Sequence, residues 1–349
     1  MNEVIIEKNK STIIITLNRE RVLNALNLNM VRIISKNILD WKNDDTISGV
    51  LIKGAGEKSF CAGGDIVSVY HDRNKGNNLS YDFFKEEYLL NYEISNFGKP
   101  WISLLNGIAM GGGLGLSVHG SHRIISENTI TAMPETAIGL FPDVGGGYFL
   151  SRMNNSLGVF LALTGKSLDG QNSMFSGIGT HLLENSSVND FTVKMIALSN
   201  YKKDDIDFLL KDFDKKSKII PSLENEINFI DRHFAKDNIK KIFDSLEEEN
   251  DEWCKKQLDT LKKKSPSSMG VATKQLELSK KLNLKECLSM EFRICQSMMS
   301  KNDFYEGVRA NLVDKDRNPH WEPKTVQELD EFQIKDYFIN LEEKELFIP

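Results

Sequence analysis

Hydrophobic residues change their spacing several times along the chain, and each change marks an element. Val4 to Glu7 and Thr12 to Leu17 are short β-branched runs joined by the polar stretch Lys8-Asn9-Lys10, the pattern of a hairpin. Met30, Ile33, Ile34, Ile38 and Trp41 then recur at helical intervals, with Asn29 placed to cap the helix they predict. Gly49 to Lys53 is a buried-strand pattern that Gly54-Ala55-Gly56 ends. A second amphipathic helix is predicted over Tyr81 to Phe97, closed by Pro100, and Trp101 to Leu105, His122 to Ser126 and Thr129 to Met133 follow as strands.

Strands alternating with helices over the first half predict an α/β architecture. Beyond about residue 200 the pattern changes. Lys202 to Lys218 and Leu246 to Asp251 are dense in charges of both signs, with apolar residues at helical intervals. The expected organisation is a core over residues 1–200 and a mostly helical region over 201–349 packed on it. The charge runs read as solvated helix faces that need no partner. No internal repeat or low-complexity linker is visible, so no hinge is predicted.

Composition narrows the field of functions. Of 349 residues, 40% are hydrophobic and 27% charged, the balance of an ordinary globular protein. The net charge of -6 argues against a general nucleic-acid binder, while leaving room for a local basic patch facing a phosphorylated ligand. The four cysteines, Cys61, Cys254, Cys287 and Cys295, form no C-x-x-C pair and no metal-ligand spacing, so reduced intracellular thiols and no metal site are expected. Met1 leads directly into a strand pattern without a basic and then apolar leader, and no apolar run approaches the roughly 20 residues of a membrane helix. The expectation is a soluble internal protein with no membrane partner.

Candidate chemistry begins with three glycine clusters: Cys61-Ala62-Gly63-Gly64-Asp65, Met110 to Gly115, and Asp143-Val144-Gly145-Gly146-Gly147. Each follows an apolar or strand-like run. Without Cβ atoms, backbone N–H groups can approach a ligand closely, and two of them together make an anion hole for a developing oxyanion. Tight turns and close helix–sheet packing are the competing reading for any single cluster. None fits G-x-G-x-x-G or the P-loop. Gly115-Leu116-Ser117-Val118-His119 comes near the G-x-S-x-G nucleophile elbow, but His119 stands where the relieving glycine is required, which makes Ser117 a weak nucleophile.

Taken together, Leu17-Asn18-Arg19 with Leu23-Asn24-Ala25-Leu26, Phe60 to Asp65, Asn106-Gly107 with Gly111 to Gly113, and Pro134-Glu135 resemble the crotonase (enoyl-CoA hydratase/isomerase) superfamily. One such motif is weak; four in order are specific. Within the superfamily, Met133 to Leu150 and Gly111 to Gly120 are most similar to the 3-hydroxyisobutyryl-CoA hydrolase subfamily. The similarity runs on through Ser265-Pro266-Ser267-Ser268, Asp303 to Ala310, Asp314-Lys315-Asp316 and Trp321, and so covers nearly the whole chain.

The resemblance implies a crotonase-like fold of repeated ββα units with a helical C-terminal region. It implies an acyl-CoA substrate and no cofactor beyond the CoA that the substrate carries. The backbone N–H groups of Gly64 and Gly112 would form the oxyanion hole, Ala62, Gly63, Gly64 and Asp65 would border the adenine end of CoA, and Arg19 would lie near it. Glu135 and Asp143 match the subfamily's catalytic carboxylates and, with Gly112, would touch the substrate; Glu87 matches a further substrate-binding glutamate. The implied reaction is hydrolysis of the 3-hydroxyisobutyryl-CoA thioester to 3-hydroxyisobutyrate and CoA, a step of valine breakdown. The superfamily often assembles into trimers and hexamers, so a homo-oligomer stays open. The implied compartment is the cytoplasm for a bacterial chain and the mitochondrial matrix for an organellar one.

The residues can be weighed against this chemistry. Thioester hydrolysis needs a polarised carbonyl and a delivered nucleophile, which a carboxylate supplies as general base or by direct attack to a mixed anhydride. Glu135 and Asp143 are separated by an apolar stretch, Ile138 to Pro142; facing one pocket, their charges repel and their roles divide. The plainer readings are a helix N-terminal acid for Glu135 and a turn residue for Asp143. Glu87 falls on the apolar stripe of Phe83, Leu90, Ile94 and Phe97, where a carboxylate is costly unless paired or bound. A hydratase resembling crotonase carries a glutamate where this chain has Gly115, which disfavours addition of water to a double bond. A hydratase or isomerase of the same fold, and a non-catalytic CoA-binding protein, remain the alternatives.

Overall fold

In a computed structural model that describes residues 2–73, 78–215 and 219–347, the chain forms two compact units that interleave along the sequence. One comprises Met1–Gly64, Leu89–Ala132 and Ser167–Glu224; the other comprises Asp65–Tyr88, Met133–Lys166 and Asn225–Pro349. These compact units follow a different partition from the 1–200 and 201–349 division, which rested on a change in chain character. That change is present: every regular element among the described residues beyond 200 is helical. The end of the Lys202 to Lys218 charge run, residues 216–218, lies outside the described residues.

The first unit contains both sheets. Strands β1 (Val4–Asn9) and β2 (Thr12–Leu17) pair antiparallel as the predicted hairpin, with Val4 opposite Leu17. Parallel to β2 run β3 (Gly49–Gly54), β5 (Trp101–Leu105), β7 (His122–Ile125) and β10 (His181–Leu182), giving the order β1-β2-β3-β5-β7-β10. The second sheet has β4 (Ser59–Cys61), β6 (Ile108–Met110), β8 (Ile130–Ala132) and β9 (Leu168–Asp169), in that order. From β3 to β8 successive strands alternate between the sheets: β3 and β4 precede a helix at Ile66–Asp72, β5 and β6 one at Gly112–Gly115, and β7 and β8 a 3-10 turn at Glu135–Ile138. This is the expected ββα repeat. Leu51, Ile102, Leu104 and Ile124 of the larger sheet bury their side chains with Phe191, Met195, Ile206 and Leu210 of the following helices.

Helix Leu28–Asn43 forms where predicted, but its cap is Asn27. The Asn27 side chain accepts the N–H of Met30, while the Asn29 amide donates to Glu3 Oε2 at 2.8 Å. Two asparagines two residues apart offer the same signal, and the one whose backbone is extended takes the cap. The second predicted helix spans Leu79–Ser95, and the strands expected over His122 to Ser126 and Thr129 to Met133 close at Ile125 and Ala132.

The second unit is helical. Phe160 stacks on Trp253 and meets Phe234 edge-on, and Pro266–Ser279 and Leu284–Met299 bury Met269, Leu276, Phe292 and Ile294. Among the described residues no helix is long and apolar enough to cross a membrane.

Candidate active site

Three of the acids singled out in the sequence meet inside the second unit. Glu87 lies on the buried face of helix Leu79–Ser95, Glu135 opens the 3-10 turn Glu135–Ile138, and Asp143 follows Pro142 just before helix Gly146–Leu150. They are 2%, 6% and 4% exposed, which takes all three out of bulk water. The Tyr88 hydroxyl donates to Asp143 Oδ2 at 2.8 Å. Glu87 Oε1 and Glu135 Oε2 are buried and find no hydrogen-bond partner among the described residues.

Burial and mutual repulsion act together on this group. Burial, then the Asp143 and Glu135 charges, hold Glu87 well above the usual carboxylate range. Burial and Asp143 do the same to Glu135, against its own backbone and the Lys264 ammonium. Asp143 rises only to about 7, because the Tyr88 hydroxyl and its own backbone favour the anion that burial opposes. A bare buried oxygen is a poor place for charge, and an oxygen holding a phenol proton is a better one. Asp143 is therefore the first of the three to ionise as pH rises. Glu87 and Glu135 hold their protons more firmly than exposed carboxyls do.

The turn around Asp143 is tightly specified. Val144 and Gly145 both take left-handed backbone conformations, at φ 52° and 82°, and for a β-branched residue this is strained. Glu291, fully buried on helix Leu284–Met299, accepts the N–H of Gly145 on Oε2 at 2.7 Å and of Gly147 on Oε1 at 2.9 Å. Gln275 Nε2 donates to Pro142 O at 2.8 Å and to Glu291 Oε1 at 3.1 Å.

The glycine loops belong to the first unit. Leu26 N–H donates to Gly63 O at 2.8 Å, in a bridge that leaves the Gly64 N–H unused. Gly112 begins its helix, so its N–H has no acceptor within it. The two loops lie against each other: a Cβ on Gly63, at φ 112°, would stand 4.0 Å from Gly112 N, and one on Gly113 would collide with the Cys61 carbonyl. Ala62 is half-buried beside them. Arg19 Nη1 donates to Ala25 O at 2.7 Å and its Nε lies 3.2 Å from Glu3 Oε1, which orders the guanidinium near the start of the chain. In the second unit Asp65 caps helix Ile66–Asp72 by accepting Ser68 N–H.

Ser117 is fully buried and its hydroxyl donates to Leu114 O at 3.0 Å, so it closes a helical turn and presents no nucleophile. Among the described residues, His233, Glu249 and Cys254 bring metal-capable atoms within 4.8 Å of one another. Each already has protein partners: His233 Nδ1 meets Ser245 Oγ, its Nε2 meets Glu249 and Cys254, and Arg232 pairs with Glu249. These contacts account for the cluster without an ion.

A family model described as enoyl-CoA hydratase/isomerase matches residues 12–338. The chain belongs to that family. Relatives within it include proteins named 3-hydroxyisobutyryl-CoA hydrolase, mitochondrial. That of Danio rerio is 42% identical over 99% of this chain and 91% of its own length, and that of Dictyostelium discoideum is 45% identical over 96% and 91%. Among solved structures, a carnitinyl-CoA dehydratase from Mycobacterium thermoresistibile superposes with a TM-score of 0.92 at 32% identity, covering 99% of both chains. An enoyl-CoA hydratase from Rhodobacter sphaeroides gives 0.89 at 30% identity over 99% and 100%. The crotonase-type fold is thus shared across the full chain by family members named for different reactions, and fold alone does not choose between them.

Sequence reasoning passed over Tyr88, Lys264, Gln275 and Glu291. For Glu291 a signal was present: it stands four residues from Cys287 and four from Cys295, both buried, so it lies on the apolar stripe of its helix just as Glu87 does. Gln275 is marked less clearly: its buried helix neighbours include Val271, Ala272 and Leu276 but also the polar Ser279. Tyr88 and Lys264 carry no comparable mark, since a tyrosine beside a buried glutamate and a lysine in a run of three are common.

Proposed function

We propose that the chain hydrolyses the thioester of 3-hydroxyisobutyryl-CoA, releasing 3-hydroxyisobutyrate and free CoA in valine breakdown. The observation that carries this reading is the buried trio Glu87, Glu135 and Asp143 in a chain more than 40% identical, nearly end to end, to relatives named as that hydrolase.

The roles follow from the environment of each group. The N–H groups of Gly64 and Gly112 serve as the oxyanion hole, an assignment supported by motif order and by N–H groups that neither the Leu26 bridge nor the helix beginning at Gly112 uses. Such a pair of donors contributes a few kcal/mol to the transition state. Asp143, the first carboxyl to ionise, is the base for water or the attacking oxygen. Glu135 keeps its proton and gives it to the departing sulfur. Glu87, with Oε1 unpartnered, binds the substrate's hydroxyl. Ala62, Gly63, Gly64, Asp65 and Arg19 border the CoA. No further cofactor enters this scheme. The mitochondrial names of the relatives support an organellar compartment.

The names of the structural relatives favour a second reading, hydration of an enoyl-CoA. Against it stands Gly115, buried and without a side chain where the second glutamate of a crotonase-like hydratase is needed. Product analysis by mass spectrometry distinguishes the two. Free 3-hydroxyisobutyrate formed by the wild type, with turnover reduced about 10²–10⁴-fold in Glu135→Gln, supports the proposal. A Glu135→Gln variant with wild-type kcat removes the proton-donor role.

A further inference from the structure

We infer that Glu291, together with Gln275, is a positioning residue that fixes the Asp143 carboxylate by clamping the backbone on both sides of it. The inference rests on the catalytic role proposed for Asp143 and adds residues from helices more than 130 positions along the chain.

The geometry brackets Asp143. On its N-terminal side, Pro142 O is held by Gln275 Nε2 at 2.8 Å; on its C-terminal side, the N–H groups of Gly145 and Gly147 are held by the two oxygens of Glu291 at 2.7 and 2.9 Å. Gln275 Nε2 also donates to Glu291 Oε1, which ties the two halves of the clamp together. Between them, left-handed Val144 and left-handed Gly145 make a turn closed by the Gly146 N–H donating to Asp143 O at 2.7 Å, a conformation that is costly for a β-branched residue. A strained segment persists where its surroundings over-determine it, and a buried acceptor reaching two N–H groups at once does that.

Gly147 fits the same account. A Cβ there would stand 3.0 Å from both Gln275 Nε2 and Glu291 Oε1, so the residue is small where the clamp must reach the main chain. Glu291 also needs two acceptors. A glutamine would present one NH₂ group toward a glycine N–H, donor against donor. Among the described residues Glu291 has no ion-pair partner and burial pushes its carboxyl up to about 8, so stability alone is a weak reason to retain an acid there. Placement of Asp143 is a reason. A misplacement of about 1 Å in a reacting group can cost about 10²-fold in rate.

The test compares kcat and KM for 3-hydroxyisobutyryl-CoA in the full chain and in Glu291→Gln, Gln275→Leu, Asp143→Asn and the Glu291→Gln/Asp143→Asn double variant. A clamp acting through Asp143 predicts kcat lowered about 100-fold in Glu291→Gln and about 10-fold in Gln275→Leu, with KM within about twofold of wild type. It also predicts a double variant no slower than Asp143→Asn alone, because the second change removes what the first one positions. Wild-type kcat in folded Glu291→Gln, or losses that multiply in the double variant, overturn the inference. Should Glu291→Gln fail to fold, wild-type kcat in Gln275→Leu overturns it equally. A crippled Asp143→Asn beside an unimpaired Glu291→Gln defeats the clamp alone, whereas wild-type kcat in Asp143→Asn defeats the role of Asp143 and the clamp with it.

Discussion

Replacing Asp143 by asparagine should stabilise the protein at pH 8 while removing its activity. Burial raises this carboxyl from 3.8 to about 7, against the opposing pull of the Tyr88 hydroxyl. With a raised folded value, the native state keeps a proton that the unfolded chain has already lost. Between about pH 4 and pH 7 the native state therefore binds more protons, stability falls as pH rises through that window, and it levels off above it. At about 1.4 kcal/mol per tenfold change in proton affinity, this one group lowers stability by about 4 kcal/mol at pH 8. Asparagine does not titrate, still offers an oxygen to the Tyr88 hydroxyl, and relieves the repulsion that raises Glu87 and Glu135. Urea unfolding at pH 5 and pH 8 reads the difference directly. The variant should exceed wild type by a few kcal/mol at pH 8, and the gap should narrow by about 3 kcal/mol at pH 5. A variant no more stable at pH 8, or one with the same pH slope as wild type, would show that burial does not raise the Asp143 carboxyl.

Two further changes probe the same neighbourhood. Tyr88→Phe removes the hydrogen bond that favours the Asp143 anion, so the acidic limb of kcat/KM should move to higher pH by about one to two units, the worth of a hydrogen bond to a charged group; a limb that stays in place or moves down contradicts the assignment of Asp143 as the group that must ionise. Gly147→Ala puts a methyl group 2.5 Å from Ser279 Oγ and into the Gln275–Glu291 clamp, and should cost about 1–3 kcal/mol of stability in thermal or urea unfolding; an unchanged Tm would mean that this packing is looser than it looks.

Much of the core and part of the site were legible in the chain. The hairpin of β1 and β2 announces itself through two β-branched runs around a polar break, and the ordered glycine motifs carry the family resemblance that implies the ββα repeat. Glu87 betrays itself as a carboxylate on an apolar stripe. Local pattern says nothing of contacts made over long separations, which is why the clamp was missed although Glu291 and Gln275 each interrupt an apolar face. The cap of helix Leu28–Asn43 fails for a smaller reason: Asn27 and Asn29 are equivalent as letters and both amides donate to Glu3, so the extended backbone of Asn27 and its acceptance of the Met30 N–H are what separate them. The partition into units is also invisible to composition, since each compact body draws on three stretches of chain.

The central claim is that this buried carboxylate cluster cuts a thioester instead of hydrating a double bond. Its most direct test is release of free thiol from 3-hydroxyisobutyryl-CoA by the purified protein, read with a thiol reagent beside a crotonyl-CoA control followed by its enoyl absorbance. The account predicts stoichiometric thiol release from the hydroxyacyl substrate and no consumption of crotonyl-CoA. Loss of the crotonyl absorbance without thiol release from either substrate would contradict it, and would return the chain to hydratase chemistry despite Gly115.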